Sequence, residues 1–140
     1  MNTMVSRCWA EIDLAALRRN AEVVHNRVGP GVELLANVKA TGYGHGMARV
    51  AEALAAEAQL FGVANVEEAT ELRKSVAHPI MILEPALPEE REPVVRPRFI
   101  HSVSNLDEAI PFDRMKENPA RVNSVIETGR GRVGMAATEA

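Results

Sequence analysis

Short apolar runs alternate with helix-type patterns along the whole of this 140-residue chain, and that alternation predicts an α/β fold. The strand-like runs begin near residues 34, 61, 80, 98 and 121, roughly 18 to 27 residues apart, which leaves room for a helical crossover between parallel strands. No glycine-rich dinucleotide turn of the usual form follows the first run, which counts against a doubly wound sheet. A closed barrel of eight β/α units takes about 250 residues, and only five strands are legible here. The expected fold class is an incomplete (β/α)8 TIM-type barrel of about five parallel strands with intervening helices. Residues 1–140 form one domain, with no internal boundary.

The elements follow in order. Cys8-Trp9-Ala10-Glu11-Ile12 is expected to be extended, with Trp9 buried in packing or, on the alternative reading, set on an edge strand. Leu14, Leu17, Ala21, Val24 and Val28 share one helical face, and Gly29-Pro30-Gly31 ends that helix. Leu34-Leu35-Ala36-Asn37-Val38, bounded by Gly31 and by Thr41-Gly42, reads as a buried strand. Met47, Val50, Ala51, Leu54 and Ala58 repeat the helical spacing. Phe61-Gly62-Val63-Ala64 is the second strand, and Asn65 with Glu68 forms a capping box for a helix through Leu72. Ile80 to Leu83, Phe99-Ile100-His101 and Val122 to Ile126 are three more strands. Ser104 is the expected cap of a last helix that Pro111 and Pro119 keep short or broken.

Composition narrows the function classes. Hydrophobic residues at 46% and charged residues at 25% are globular values, which excludes a disordered chain. Sixteen Lys and Arg against nineteen Asp and Glu give a net charge of -3, so no nucleic-acid partner is expected. No apolar stretch approaches the length of a membrane span, and residues 1–8 hold no signal-peptide core. The single cysteine, Cys8, makes no internal disulfide, which fits a reducing compartment; a cytoplasmic location is expected.

Two segments concentrate chemistry. In Asn37-Val38-Lys39-Ala40-Thr41-Gly42-Tyr43-Gly44-His45-Gly46 a lysine closes an apolar strand and three glycines, a tyrosine and a histidine follow. Barrel enzymes place reactive side chains at strand C-termini. A partly desolvated lysine there has its ammonium disfavoured, which makes a Schiff base feasible; a lysine that simply reaches solvent is the other reading. The glycines form a plain turn or a backbone nest for a phosphate. The second segment, Glu127-Thr128-Gly129-Arg130-Gly131-Arg132-Val133-Gly134, again follows a strand. Its arginines either lie on a solvated loop or present guanidinium groups to an anionic or electron-rich oxygen. His25, His45, His78 and His101 show no zinc-ligand spacing, and no metal site is read.

Taken together, Trp9-Ala10-Glu11-Ile12-Asp13-Leu14, Val38 to Gly46, Phe61 to Ala64 with Glu67-Glu68-Ala69, and Thr128 to Gly134 resemble the N-terminal half of the alanine racemase family, in order and approximate spacing. The resemblance implies an N-terminal (β/α)8 barrel followed by a β-rich C-terminal domain, a homodimer, and pyridoxal 5'-phosphate as cofactor. It implies interconversion of L-alanine and D-alanine, which supplies D-alanine for peptidoglycan. Lys39 matches the lysine that holds the cofactor as an internal aldimine and serves as one racemisation base. Tyr43 matches the tyrosine whose hydroxyl helps hold the phosphate. Arg132 matches the arginine beside the ring's phenolic oxygen, near the substrate carboxylate. Lys39, Tyr43 and Arg132 are expected to open toward one face at the strand C-termini.

The chain departs from the family pattern in places. Ala40-Thr41-Gly42 stands where Ala-Asp-Ala is usual, and Arg130 where methionine is commoner. Val125 occupies the position of a lysine, often carbamylated, that orients the arginine; valine makes no such hydrogen bond. The remaining barrel units and the C-terminal domain with its opposite-face base are not seen before Ala140, so the chain alone is expected to self-associate and not to racemise alanine. A non-catalytic pyridoxal-phosphate-binding protein or an inactive barrel fragment is the alternative.

Overall fold

A computed structural model describes residues 8–90, 99–114 and 120–138. Helix α1 (Leu14–Val28) comes first, followed by strand β1 (Leu35–Asn37), a single turn α2 (Lys39–Tyr43) and helix α3 (Met47–Leu54). Strand β2 (Leu60–Val63), helix α4 (Val66–Arg73), strand β3 (Ile80–Ile82) and a 3-10 turn (Pro88–Glu90) come next. Strand β4 (Ile100–Val103), helix α5 (Leu106–Asp113) and strands β5 (Arg121–Ser124), β6 (Ile126–Glu127) and β7 (Met135–Ala136) complete the described elements.

Strands β1 to β5 form one sheet in the order β1-β2-β3-β4-β5, every pairing parallel. This order decides between the two α/β architectures. A doubly wound sheet reverses its strand order at a switch point, whereas a barrel adds each new strand on the same side of the last. The order here never reverses, so the fold is part of a (β/α) barrel. Strands β6 and β7 pair separately as a small parallel ribbon.

The ladder continues beyond the strands at their C-terminal ends. Val38 N–H donates to Gly62 O (2.8 Å), Leu83 N–H to Val63 O (2.9 Å) and Val125 N–H to Val103 O (2.9 Å). Central strands are buried on both faces, as parallel sheets require. Phe61, Val63, Ile80, Ile82, Phe99 and Val103 form the core with Met47, Val50 and Ala51 of α3 and Val66, Ala69 and Leu72 of α4. The edge strands β1 and β5 are less covered.

Helix α1 starts where Asp13 Oδ1 accepts from Ala16 N–H (2.9 Å) and stops at Gly29, with φ +82°. Its expected apolar face is covered over only part of its length: Leu14 and Leu17 pack on the core, while Val24 and Val28 are each 45% exposed. Length explains this. Fifteen residues of helix span about 22 Å, whereas the eight-residue α3 beneath it spans about 12 Å, so α1 overhangs its support. Helix α3 is shorter than the apolar pattern, and Ala58 is buried in the turn beyond it, where the chain swings into β2.

Two expectations are corrected. Trp9 is 75% exposed rather than packed; it precedes the α1 cap, and its indole N–H is satisfied locally by Glu11 Oε1 (2.9 Å). The cap of α5 is Asn105, not Ser104: Asn105 Oδ1 accepts from Glu108 N–H (2.9 Å), and Ser104 contributes its backbone N–H to Glu108 Oε2 (2.7 Å). Pro111 sits inside this eight-residue helix, which is short as expected, and Pro119 lies outside the described residues.

Phe61 is the central ring of the core, fully buried and edge-on to His78. Phe61→Ala is expected to lower the unfolding free energy by about 3–5 kcal/mol, seen as a fall in the urea midpoint at unchanged slope.

Candidate active site

The chain leaves β1 through buried Val38 and enters α2, which winds left-handed. Ala40, Thr41 and Tyr43 have φ of +51°, +57° and +55°, and Gly42 lies among them at +65°. Left-handed backbone costs an L-residue about 1–2 kcal/mol, so three such residues need support from their surroundings. Gly42 N–H donates to Val38 O (2.8 Å) and Gly46 N–H to Thr41 O (2.8 Å). His45 Nδ1 donates to Gly42 O (3.0 Å), so the histidine of the motif acts as a clasp on the turn. The peptide N–H groups on either side of Lys39 Cα are also held: Lys39 N–H by Asn37 Oδ1 (3.3 Å) and Ala40 N–H by Glu68 Oε1 (2.8 Å).

The arginine segment is organised by one carboxylate. Glu127 Oε2 accepts from Arg132 N–H (3.0 Å), and Glu127 Oε1 accepts from the N–H groups of Gly129 and Arg130. The backbone N–H groups of the loop, that of Arg132 foremost and then those of Gly131 and Gly129, hold the Glu127 carboxyl down to about 2 from an ordinary 4.5. Gly134 closes the segment at φ +132°, where a Cβ would stand 2.7 Å from Glu127 N.

Both segments meet at one cavity of about 730 Å³ at the C-terminal ends of the strands. Lys39 and Tyr43 line it from β1, Leu83, Glu84 and Pro85 from β3, Ser102 from β4, and Asn123, Val125, Arg132 and Val133 from β5 and the loop beyond. Lys39 Nζ stands 3.9 Å from Glu84 Oε1 with its side chain 31% exposed. Two cations and one carboxylate give the lining a net positive charge suited to an anion. Buried His101 supports one wall: its Nε2 accepts from Ala86 N–H (2.8 Å), which holds the loop carrying Glu84 and Pro85. The hydroxyl of Ser102, fully buried in the wall, has no hydrogen-bond partner among the described residues.

The structure thus brings Lys39, Tyr43 and Arg132 to one cavity. Asn37, Glu84, Ser102 and Asn123 also line it and were not singled out in the sequence. Their signal was weak: isolated polar residues within or just after apolar strands. Arg130 does not line the cavity. Among the described residues, no group of three His, Cys, Asp or Glu is placed to hold a metal ion, and no helix is long and apolar enough to cross a membrane.

A reversal-free parallel sheet with a cavity at its strand ends, lined by a lysine and an arginine, defines a (β/α)-barrel protein. The family profile described as alanine racemase, N-terminal domain, matches residues 12–140, and the chain belongs to that family. It is 36% identical to the alanine racemase of Halothermothrix orenii, covering 100% of this chain and 38% of that protein. Alanine racemase from E. faecalis superposes with a TM-score of 0.82 at 31% identity, over 89% of this chain and 35% of the other. Alanine racemase from Bartonella henselae with covalently bound pyridoxal phosphate superposes with a TM-score of 0.82 at 25% identity, over 91% of this chain and 37% of the other. The chain therefore spans little more than a third of the length of these relatives.

Two outcomes follow from the arginine loop. Glu127 binds its proton less readily folded than unfolded, so its stabilisation is complete above about pH 4.5 and disappears as pH falls through about 2. Between those values the parent chain should lose stability faster than Glu127→Gln, and the amide resonances of Gly129, Arg130 and Arg132 should titrate together near pH 2. Gly134→Ala should displace the Arg132 loop, read as shifted amide resonances confined to residues 126–136, because the added Cβ meets backbone and not a movable side chain.

Proposed function

We propose that this chain is the cofactor-binding part of an alanine racemase that interconverts L-alanine and D-alanine, with pyridoxal 5'-phosphate carried by Lys39. The observation that supports this most is the convergence of Lys39, Tyr43 and Arg132 on one cavity in a chain of this family. The residues present fit the cofactor. A volume of about 730 Å³ lies within the range of small-molecule sites. The Ser102 hydroxyl, which has no partner among the described residues, offers a polar atom for a bound group to satisfy, and Leu83, Val125 and Val133 give apolar walls for a flat ring.

When bound, the cofactor's conjugated ring draws off the negative charge left on a substrate Cα after proton removal. Lys39 has two tasks on this reading: its amine holds the cofactor covalently, and its Nζ moves a proton to or from one face of Cα. The Tyr43 hydroxyl would help hold the phosphate. The Arg132 guanidinium would offset negative charge on the bound cofactor and could hold the substrate carboxylate. Because Val125 makes no hydrogen bond to that guanidinium, the backbone clamp from Glu127 carries the placing of the arginine loop. Residues 1–140 act as one barrel portion of the longer enzyme.

Borohydride reduction after addition of pyridoxal 5'-phosphate, followed by peptide mapping, tests the assignment. Lys39 should be labelled ahead of Lys74 and Lys116, and Lys39→Ala should lose that label. Even labelling of all lysines, or none at saturating cofactor, would remove the case for the site. Tyr43→Phe should weaken capture of the phosphorylated cofactor about tenfold while leaving capture of pyridoxal, which has no phosphate, unchanged.

A further inference from the structure

We propose that Glu68 is the positioning residue for Lys39: its carboxylate ties the left-handed turn after the lysine to the neighbouring β/α unit and so sets where the lysine side chain leaves the sheet. The inference rests on the reading of Lys39 as the cofactor lysine. Glu68 belongs to the first turn of α4, where its own N–H donates to the cap Asn65 Oδ1 (2.9 Å). Its Oε2 accepts from Ala64 N–H (2.9 Å) at the exit of β2. Its Oε1 accepts from Ala40 N–H (2.8 Å), across 28 residues of sequence. Ala40 is the first residue of positive φ after Lys39, and the N–H that Glu68 holds belongs to the Lys39–Ala40 peptide itself. A charged acceptor at that point favours the turn's left-handed hand over the right-handed one that L-residues prefer.

The chain contains its own control. In the unit after β4, Asn105 and Glu108 repeat the arrangement: Glu108 N–H donates to Asn105 Oδ1 (2.9 Å), and Glu108 Oε2 accepts from Ser104 N–H (2.7 Å). There the second oxygen, Oε1, meets Asn105 Nδ2 (3.1 Å) within the same cap. Capping a helix therefore uses this glutamate without any reach to another loop. The bond from Glu68 to Ala40 is additional, and it lands beside the lysine. Glutamine at this position keeps the shape but offers one oxygen for the two amides.

Glu68→Gln, Glu68→Asp and Glu108→Gln separate positioning from capping. Without cofactor, hydrogen exchange at the Ala40 amide should speed up about tenfold or more in both Glu68 variants and stay at the parent rate in Glu108→Gln, where exchange at Ser104 rises instead. With pyridoxal 5'-phosphate, borohydride-trapped label on Lys39 relative to the other lysines should fall about tenfold in the Glu68 variants. It should hold in Glu108→Gln, even where melting temperatures drop equally. A parent-like Ala40 exchange rate in Glu68→Gln, or an equal loss of Lys39 labelling in Glu108→Gln, overturns the proposal. If the parent chain captures no cofactor at Lys39, the functional reading fails, while Ala40 exchange still decides whether Glu68 holds the turn.

Discussion

The parallel ladder from β1 to β5 is the constraint on which the rest depends. Parallel pairing brings every strand's C-terminal end to the same side, and the extra bonds from Val38, Leu83 and Val125 carry the register into the residues that leave the sheet. Residues far apart in sequence, such as Lys39 and Arg132, then share one cavity without any direct contact between their loops being needed. The core of Phe61, Ile80, Ile82, Phe99 and Leu72 holds that ladder through its central strands.

Each of the two loops above the ladder has a carboxylate that accepts backbone N–H groups, beside the other bonds that hold it. Glu68 reaches from α4 to Ala40, and Glu127 gathers Gly129, Arg130 and Arg132. Backbone hydrogen bonds suit this purpose because they fix the chain while leaving the lysine and arginine side chains free for a ligand. The two carboxylates differ in reach: Glu127 serves its own loop, whereas Glu68 couples one β/α unit to the next.

Much of the fold was legible because its signals are local. Short apolar runs located β1 to β5 within one or two residues, although the run from Val122 to Ile126 divides between β5 and β6, and Asn65 with Glu68 marked the start of α4. The last cap was misplaced by one residue although Asn105 and Glu108 repeat the spacing of Asn65 and Glu68; the repeat is the better guide. The exposure of Trp9 was not legible, since burial depends on which elements lie opposite, and neither was the partial cover of α1, which follows from the length of α3. The left-handed turn was hidden for another reason. Alanine and threonine carry no local preference for that conformation, so only the hydrogen bonds around it reveal why it forms. Lys39, Tyr43 and Arg132 stood out by motif, while Ser102 and Asn123 owe their place in the cavity to their strands' positions in the sheet.

Lys39 hangs from the first strand of the sheet and Arg132 follows the fifth. Four strand spacings laid flat would separate those edges by about 19 Å. That both residues line a single cavity requires the sheet to curve, so the distance between the two cations combines that curvature with the course of the loop that carries Arg132. Substitutions within a loop retune what that loop presents, whereas the spacing of the two strands beneath is common to both loops. A ligand that fits it is gauged by the whole sheet, so drift in interstrand twist anywhere along the five strands would be felt as a change in ligand size.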